Sequence, residues 1–331
     1  RHGLLAGEER QRLLRSEIDV LRSEQYFNQP DAARAYQAAQ RALDNAPQAY
    51  ASVRGLAWMF LGAGLFLAKG KEQALATLAD NLSGGRVAQG HEYARLLIVK
   101  CFVHWMAADM PSMEQTASEL LRYAQHRDLP ESTIWAHYFR GSACYQQNDL
   151  AAAHDEFLAV MQSQHDVPGF ISVQGSIGLA LVLQAQGQEK AAVAAVTSVL
   201  EYAQQTNNDA ARQAGLAFGA ALALRQGRRD DAAQWAAGVG HSIVPTSAVT
   251  LFAPPLAAAM ILLQQGTPAA LDAAERKLGQ LEAYVAGMHA DRFYVEVLAL
   301  SALLYAKQGR RMRALEALEQ AVTMAQPGKL A

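Results

Sequence analysis

The residues of this 331-residue chain whose types could do chemistry are the adjacent carboxylates Asp155-Glu156 and Asp230-Asp231, nine histidines and two cysteines. General acid-base catalysis needs two groups converging on one substrate, whereas neighbours in sequence point in different directions on a helix. Both carboxylate pairs therefore read as solvated faces. His91 and His104 share an element but are thirteen residues apart, while His137, His154, His165, His241 and His289 fall on separate elements. With no HExxH and no Cys/His cluster, the spacing predicts no metal site. Cys101 and Cys144 form neither a CxxC nor a secreted-type framework, and read as buried packing residues of a protein kept in a reducing, cytoplasmic compartment. Phosphate-cradling GxxxxGK[ST] and GxGxxG patterns are missing, as is a nucleophile elbow. These residues predict a non-enzyme without a cofactor.

The elements that carry these side chains repeat along the chain. A Gly, Asn or small residue followed at +5 by Ala, Leu or Met recurs at Asn28, Gly70, Ala108, Asn148, Gly187, Gly227, Gly266 and Gly309, a period of about 40 residues. Seven residues before the last seven of these turns stand Ala63, Cys101, Gly141, Ala180, Ala220, Ala259 and Ala302, all small. A helix position held to small residues is one where the next helix approaches closely, and Gly at the following turn ends the first helix of a pair. The spacing matches the tetratricopeptide (TPR) pattern.

The expected fold is all-α, a right-handed superhelix of about eight TPR-like helix pairs forming one domain over 1–331. Composition agrees, with 51% hydrophobic and 18% charged residues. A solenoid of this length needs no single core, because each repeat packs on its neighbours. The apolar run "GLAWMFLGAGLFLAKG" reads as a buried first helix and not a membrane span. The basic cluster Arg310, Arg311 and Arg313 reads as a solvated helix face. The net charge of −2, with acids and bases interspersed, gives no footprint for direct contact with nucleic acid.

What remains is a binding surface. Positions 13, 10, 6, 3 and 2 residues before each turn line the concave side of such a superhelix. They are mostly bland in the sixth to eighth repeats, but in the third to fifth they include Arg95, Phe102, Trp105, Trp135, Tyr138, Tyr145 and Gln174. Flat aromatics with polar tips beside directional donors suit a small ligand. The same aromatics also suit wedges that set curvature, and a peptide or protein groove is a third reading. Asn28, Asn45, Asn81, Asn148, Asn207 and Asn208 sit at turns or helix ends, unlike the Asn-rich groove of a peptide receptor. Pro254-Pro255 lie too deep for a seventh first helix of normal length, so that helix must start late or kink. Residues 241–253 are then left as a long connection.

The terminal segment, with its "LAAAMILLQQG" turn, "RFYVEVLALSALLYAKQGRRMRALEALEQAV" and closing "AQPG", resembles the last repeats of the large ATP-binding LuxR-type transcriptional regulators, the group that includes the maltose-regulon activator. The resemblance is good from about residue 250 onward and holds at repeat level before that; Met260 stands where family members often carry Arg. It implies a sensor segment that receives a small-molecule inducer or a regulatory protein and relays it to nucleotidase and DNA-binding modules lying outside this sequence. On that view the fragment itself contacts neither DNA nor membrane.

Overall fold

The computed structural model describes residues 7–29, 31–83, 90–162, 169–239 and 250–330. Among them are sixteen α-helices and no strand. By backbone proximity the chain divides into two compact units, Arg1–Ala107 with Ser112–Ala136, and Ala108–Pro111 with His137–Ala331.

The first unit holds α1 (Gly7–Asn28), α2 (Ala32–Asn45), α3 (Ala51–Lys69), α4 (Lys71–Ser83), α5 (His91–Met106), most of α6 (Met110–His126) and the start of α7 (Pro130–Gln146). Its core includes Phe102 of α5, whose ring meets those of Phe27 and Phe66 edge-on, each at 6.0 Å between centroids. A buried ion pair crosses from α3 to α5, with Arg54 Nε 3.0 Å from Glu92 Oε1. Arg54 also donates to the carbonyl of Ala46 at 3.3 Å, so the buried guanidinium is held by more than its counter-charge. By length and composition α3 could cross a membrane, and it is longer than its sequence run suggested. Two thirds of its apolar window is buried inside the structure, as expected of a core helix.

The second unit contains the rest of α7, then α8 (Leu150–Gln162), α9 (Gly169–Ala185), α10 (Glu189–Gln205), α11 (Asp209–Arg225), α12 (Arg229–Ala236), α13 (Pro254–Gln265), α14 (Pro268–Ala286), α15 (Asp291–Lys307) and α16 (Arg311–Ala325). Its helices pack through small residues. Phe157 of α8 fills the gap left by two glycines, and a Cβ on Gly141 or Gly178 would come within 3.0 and 2.5 Å of its ring.

The repeat register read from the sequence is the register of the fold. All of the expected turn positions except Asn28 take a positive φ, from 56° at Ala108 to 86° at Gly70, which is why Gly and Asn recur there. Every member of the small-residue column is buried, Ala180, Ala220 and Ala259 completely. Both cysteines are buried, and burial pushes the Cys101 thiol far above its usual range. α13 begins at Pro254 with both prolines in its first turn, as the sequence required. Of the connection expected over 241–253, residues 241–249 lie outside the described residues.

One expectation needs correcting. Glu156 does not belong to a solvated face: its side chain is 12% exposed, with His137 Nδ1 at 2.7 Å and Arg140 Nη2 at 3.0 Å. Two basic groups projecting from the preceding helix α7 draw it inward.

Candidate functional site

Residues 250–253 enter the interior of the second unit before α13 begins. Thr250, Leu251, Phe252 and Ala253 are all buried. An irregular buried segment must satisfy its peptide groups with side chains, and three first helices supply them. Gln174, in the middle of α9, accepts from the Leu251 N–H at 3.3 Å. The Tyr138 hydroxyl of α7 also bonds to the Leu251 backbone. From α15, Arg292 donates to the carbonyl oxygens of Leu251 at 2.5 Å and Thr250 at 3.4 Å.

Arg292 is 1% exposed, and Glu296, one turn later on the same helix, faces it at 2.7 Å. A third of the Glu296 side-chain surface remains open, but toward a cavity inside the unit. Desolvation therefore raises the pKa of this carboxyl despite the opposing pull of Arg292 and Arg225. The same burial lowers that of Arg292, partly offset by Glu296. Phe252 packs from the segment onto Phe218 of α11, ring edge to face at 5.4 Å.

The segment and these side chains form one wall of a cavity of about 580 Å³, within the size range of small-molecule sites. Its other walls come mainly from the first helices of successive pairs. Tyr145 and Gln146 end α7, Leu181 and Ala185 lie on α9, Arg225 ends α11, Leu256 and Met260 come from α13, and Ala299 and Leu300 from α15. Most of the lining is aliphatic or aromatic, and its ionisable groups are Tyr145, Arg225, Arg292 and Glu296.

Of the seven residues singled out from the sequence, Tyr145 lines this cavity. Tyr138 and Gln174 are buried beneath the 250–253 segment and hold it in place. The remaining four belong to the first unit. Arg95 makes a two-pronged ion pair with Glu131, Nη2 lying 2.8 and 2.9 Å from its oxygens. Phe102 and Trp105 are buried, and Trp135 is half-buried.

Three functional side chains escaped the sequence reading. Arg225 stands two residues before the Gly227 turn and Glu296 thirteen before Gly309, both at lining positions of the repeat. They were hidden among otherwise bland neighbours. Arg292 stands off that register, and no periodic signal marks it.

The whole architecture has a counterpart among known families. The model of the MalT-like TPR region matches residues 16–330. The chain belongs to the MalT-like TPR-region family. Among solved structures, the apo form of RapI has the same fold as this MalT-like TPR region, at a TM-score of 0.57 and 12% identity over 83% of this chain and 98% of that one. At that identity the likeness speaks for the fold alone. No curated protein sequence matches. Within the MalT-like TPR region, no group of three or more His, Cys, Asp or Glu among the described residues could hold a metal ion. The arrangement offers a lined cavity and a buried cation, which is equipment for binding.

Proposed function

We propose that residues 1–331 form the effector-sensing domain of a bacterial LuxR-type, ATP-binding transcriptional regulator, which binds a small-molecule inducer and is not itself an enzyme. The observation that carries this reading is the 580 Å³ cavity built from the first helices of the second unit, in a chain of the MalT-like TPR-region family. Tyr145 contacts the inducer directly, while Tyr138 and Gln174 act through the segment they hold. For Arg95, Phe102, Trp105 and Trp135, the partners and burial seen in the first unit favour a packing role. Nucleotide hydrolysis and DNA binding fall to modules outside this sequence, and the site of action is the cytoplasm.

The cavity also supplies a means of relay. Its walls come from five first helices and from the inserted segment, so a ligand that prefers one arrangement of them shifts the population toward that arrangement. Affinity without such preference shifts nothing. A thermal-shift screen of metabolites tests the proposal, since a ligand at 100 times its Kd stabilises the fold by about 2.7 kcal/mol. Hits are expected to lose affinity in Tyr145→Ala. A screen without hits, or hits indifferent to Tyr145, would overturn it.

A peptide- or protein-binding scaffold is the second reading, favoured by Leu303, Met312, Leu315, Leu318 and Val322, which are 48–69% exposed on α15 and α16. If a protein is the signal, substituting Met312 and Leu315 by Ser should abolish its capture while leaving small-ligand binding intact.

A further inference from the structure

The charges in the cavity narrow what it can hold. This step rests on the proposed small-molecule reading. Glu296 is already engaged by Arg292 at 2.7 Å, and Arg292 is spent on the carbonyls of residues 250 and 251 as well. Arg225 differs from both: it is exposed at the end of α11 and forms no ion pair among the described residues, while its charge acts across the cavity on Glu296. With Glu296 ionised, two guanidinium groups face one carboxylate, and the lining carries one net positive charge. The rest of the surface, from Leu181 to Leu300, is predominantly aliphatic or aromatic.

A cation entering this cavity would meet the repulsion of Arg225 and would have to share Glu296 with Arg292, weakening the counter-charge of a buried guanidinium. A neutral apolar molecule would bury its body but leave the charge of Arg225 unused. An anion gains a planar, two-pronged donor that is not otherwise committed.

We infer that the cavity takes a small amphiphilic carboxylate, its anionic head on Arg225 and its apolar body against Leu181, Phe252, Leu256 and Met260. The head group sits at the exposed end and the body occupies the interior.

Three probes of one shape test this: 4-phenylbutanoate, 4-phenylbutan-1-ol and 4-phenylbutan-1-amine, each titrated calorimetrically into the 1–331 chain at low salt. The carboxylate is expected to bind about tenfold more tightly than the alcohol, as one charge-assisted hydrogen bond to a partly solvated guanidinium provides, and the amine more weakly still. Raising the salt concentration should narrow the difference. Arg225→Met keeps an apolar stem of similar length and removes the charge. It should bring the carboxylate down to the affinity of the alcohol and leave the alcohol unchanged. Arg225→Lys should restore part of the preference. An alcohol or amine that binds as well as the carboxylate, or an Arg225→Met variant that keeps the preference, overturns the anionic class and leaves the small-molecule reading standing. If none of the three binds at millimolar concentration, the small-molecule reading of this cavity falls with it.

Discussion

Arg292 Nη2 lies 2.5 Å from the carbonyl oxygen of Leu251, a residue 41 positions earlier in the chain. This bond joins α15 to the segment that precedes α13 and makes four residues of irregular chain part of the interior. A cation this deeply buried persists because both of its terminal nitrogens are used, Nη1 on the Thr250 carbonyl and Nη2 on the Leu251 carbonyl and Glu296.

Removing it should be expensive. Arg292→Ala leaves Glu296 and the Leu251 carbonyl without their partner, and the expected loss is about 3–5 kcal/mol in urea denaturation. Gln174→Ala removes a single acceptor for the Leu251 N–H and should cost less, about 1–3 kcal/mol. Equal effects of the two would mean that Arg292 is not the main fastening of the segment.

The small-residue column is tested at Ala220, which is completely buried in α11. Ala220→Leu adds volume where helices meet and should lower stability by about 1–3 kcal/mol. An unchanged denaturation midpoint would show that the contact is looser than the register requires.

In the first unit, the Tyr93 hydroxyl donates to Glu119 Oε1 at 2.6 Å. Burial, and then this carboxylate, push the Tyr93 pKa up to about 12. Because the folded value lies above the unfolded value of about 10, the contribution of the protonated hydroxyl is fully present below pH 10 and is lost as pH rises toward 12. Tyr93→Phe should therefore cost about 1 kcal/mol at pH 7, and the gap from wild type should shrink in denaturation curves measured above pH 10. A gap that is constant with pH would contradict the assigned partner.

Much of this was legible in the sequence, for a physical reason. Turns that need a positive φ select Gly and Asn, close helix contacts select small residues, and both constraints recur with each repeat. Gly227 and Ala220 could therefore be placed from spacing alone. The site was legible only in part. Tyr145 follows the repeat, and so do Arg225 and Glu296, but aromatic residues at the lining positions concentrate in the earlier repeats. Arg292 matters through contacts with residues 250 and 251, and a contact between distant, non-repeating segments leaves no periodic trace. Phe218 shows the same limit: in a repeat that reads as bland, it packs on Phe252 of the inserted segment.

The central claim is that the inducer occupies the cavity of the second unit. Met260 lies in its wall on α13, half-buried, so Met260→Trp would fill the space from a side chain already facing it. The decisive measurement is titration calorimetry of a screening hit against Met260→Trp and, in parallel, against Trp135→Ala in the first unit, each shown by circular dichroism to be folded. Loss of binding in Met260→Trp with retention in Trp135→Ala is the result expected. Undiminished binding to Met260→Trp, or its loss in Trp135→Ala, would contradict the account.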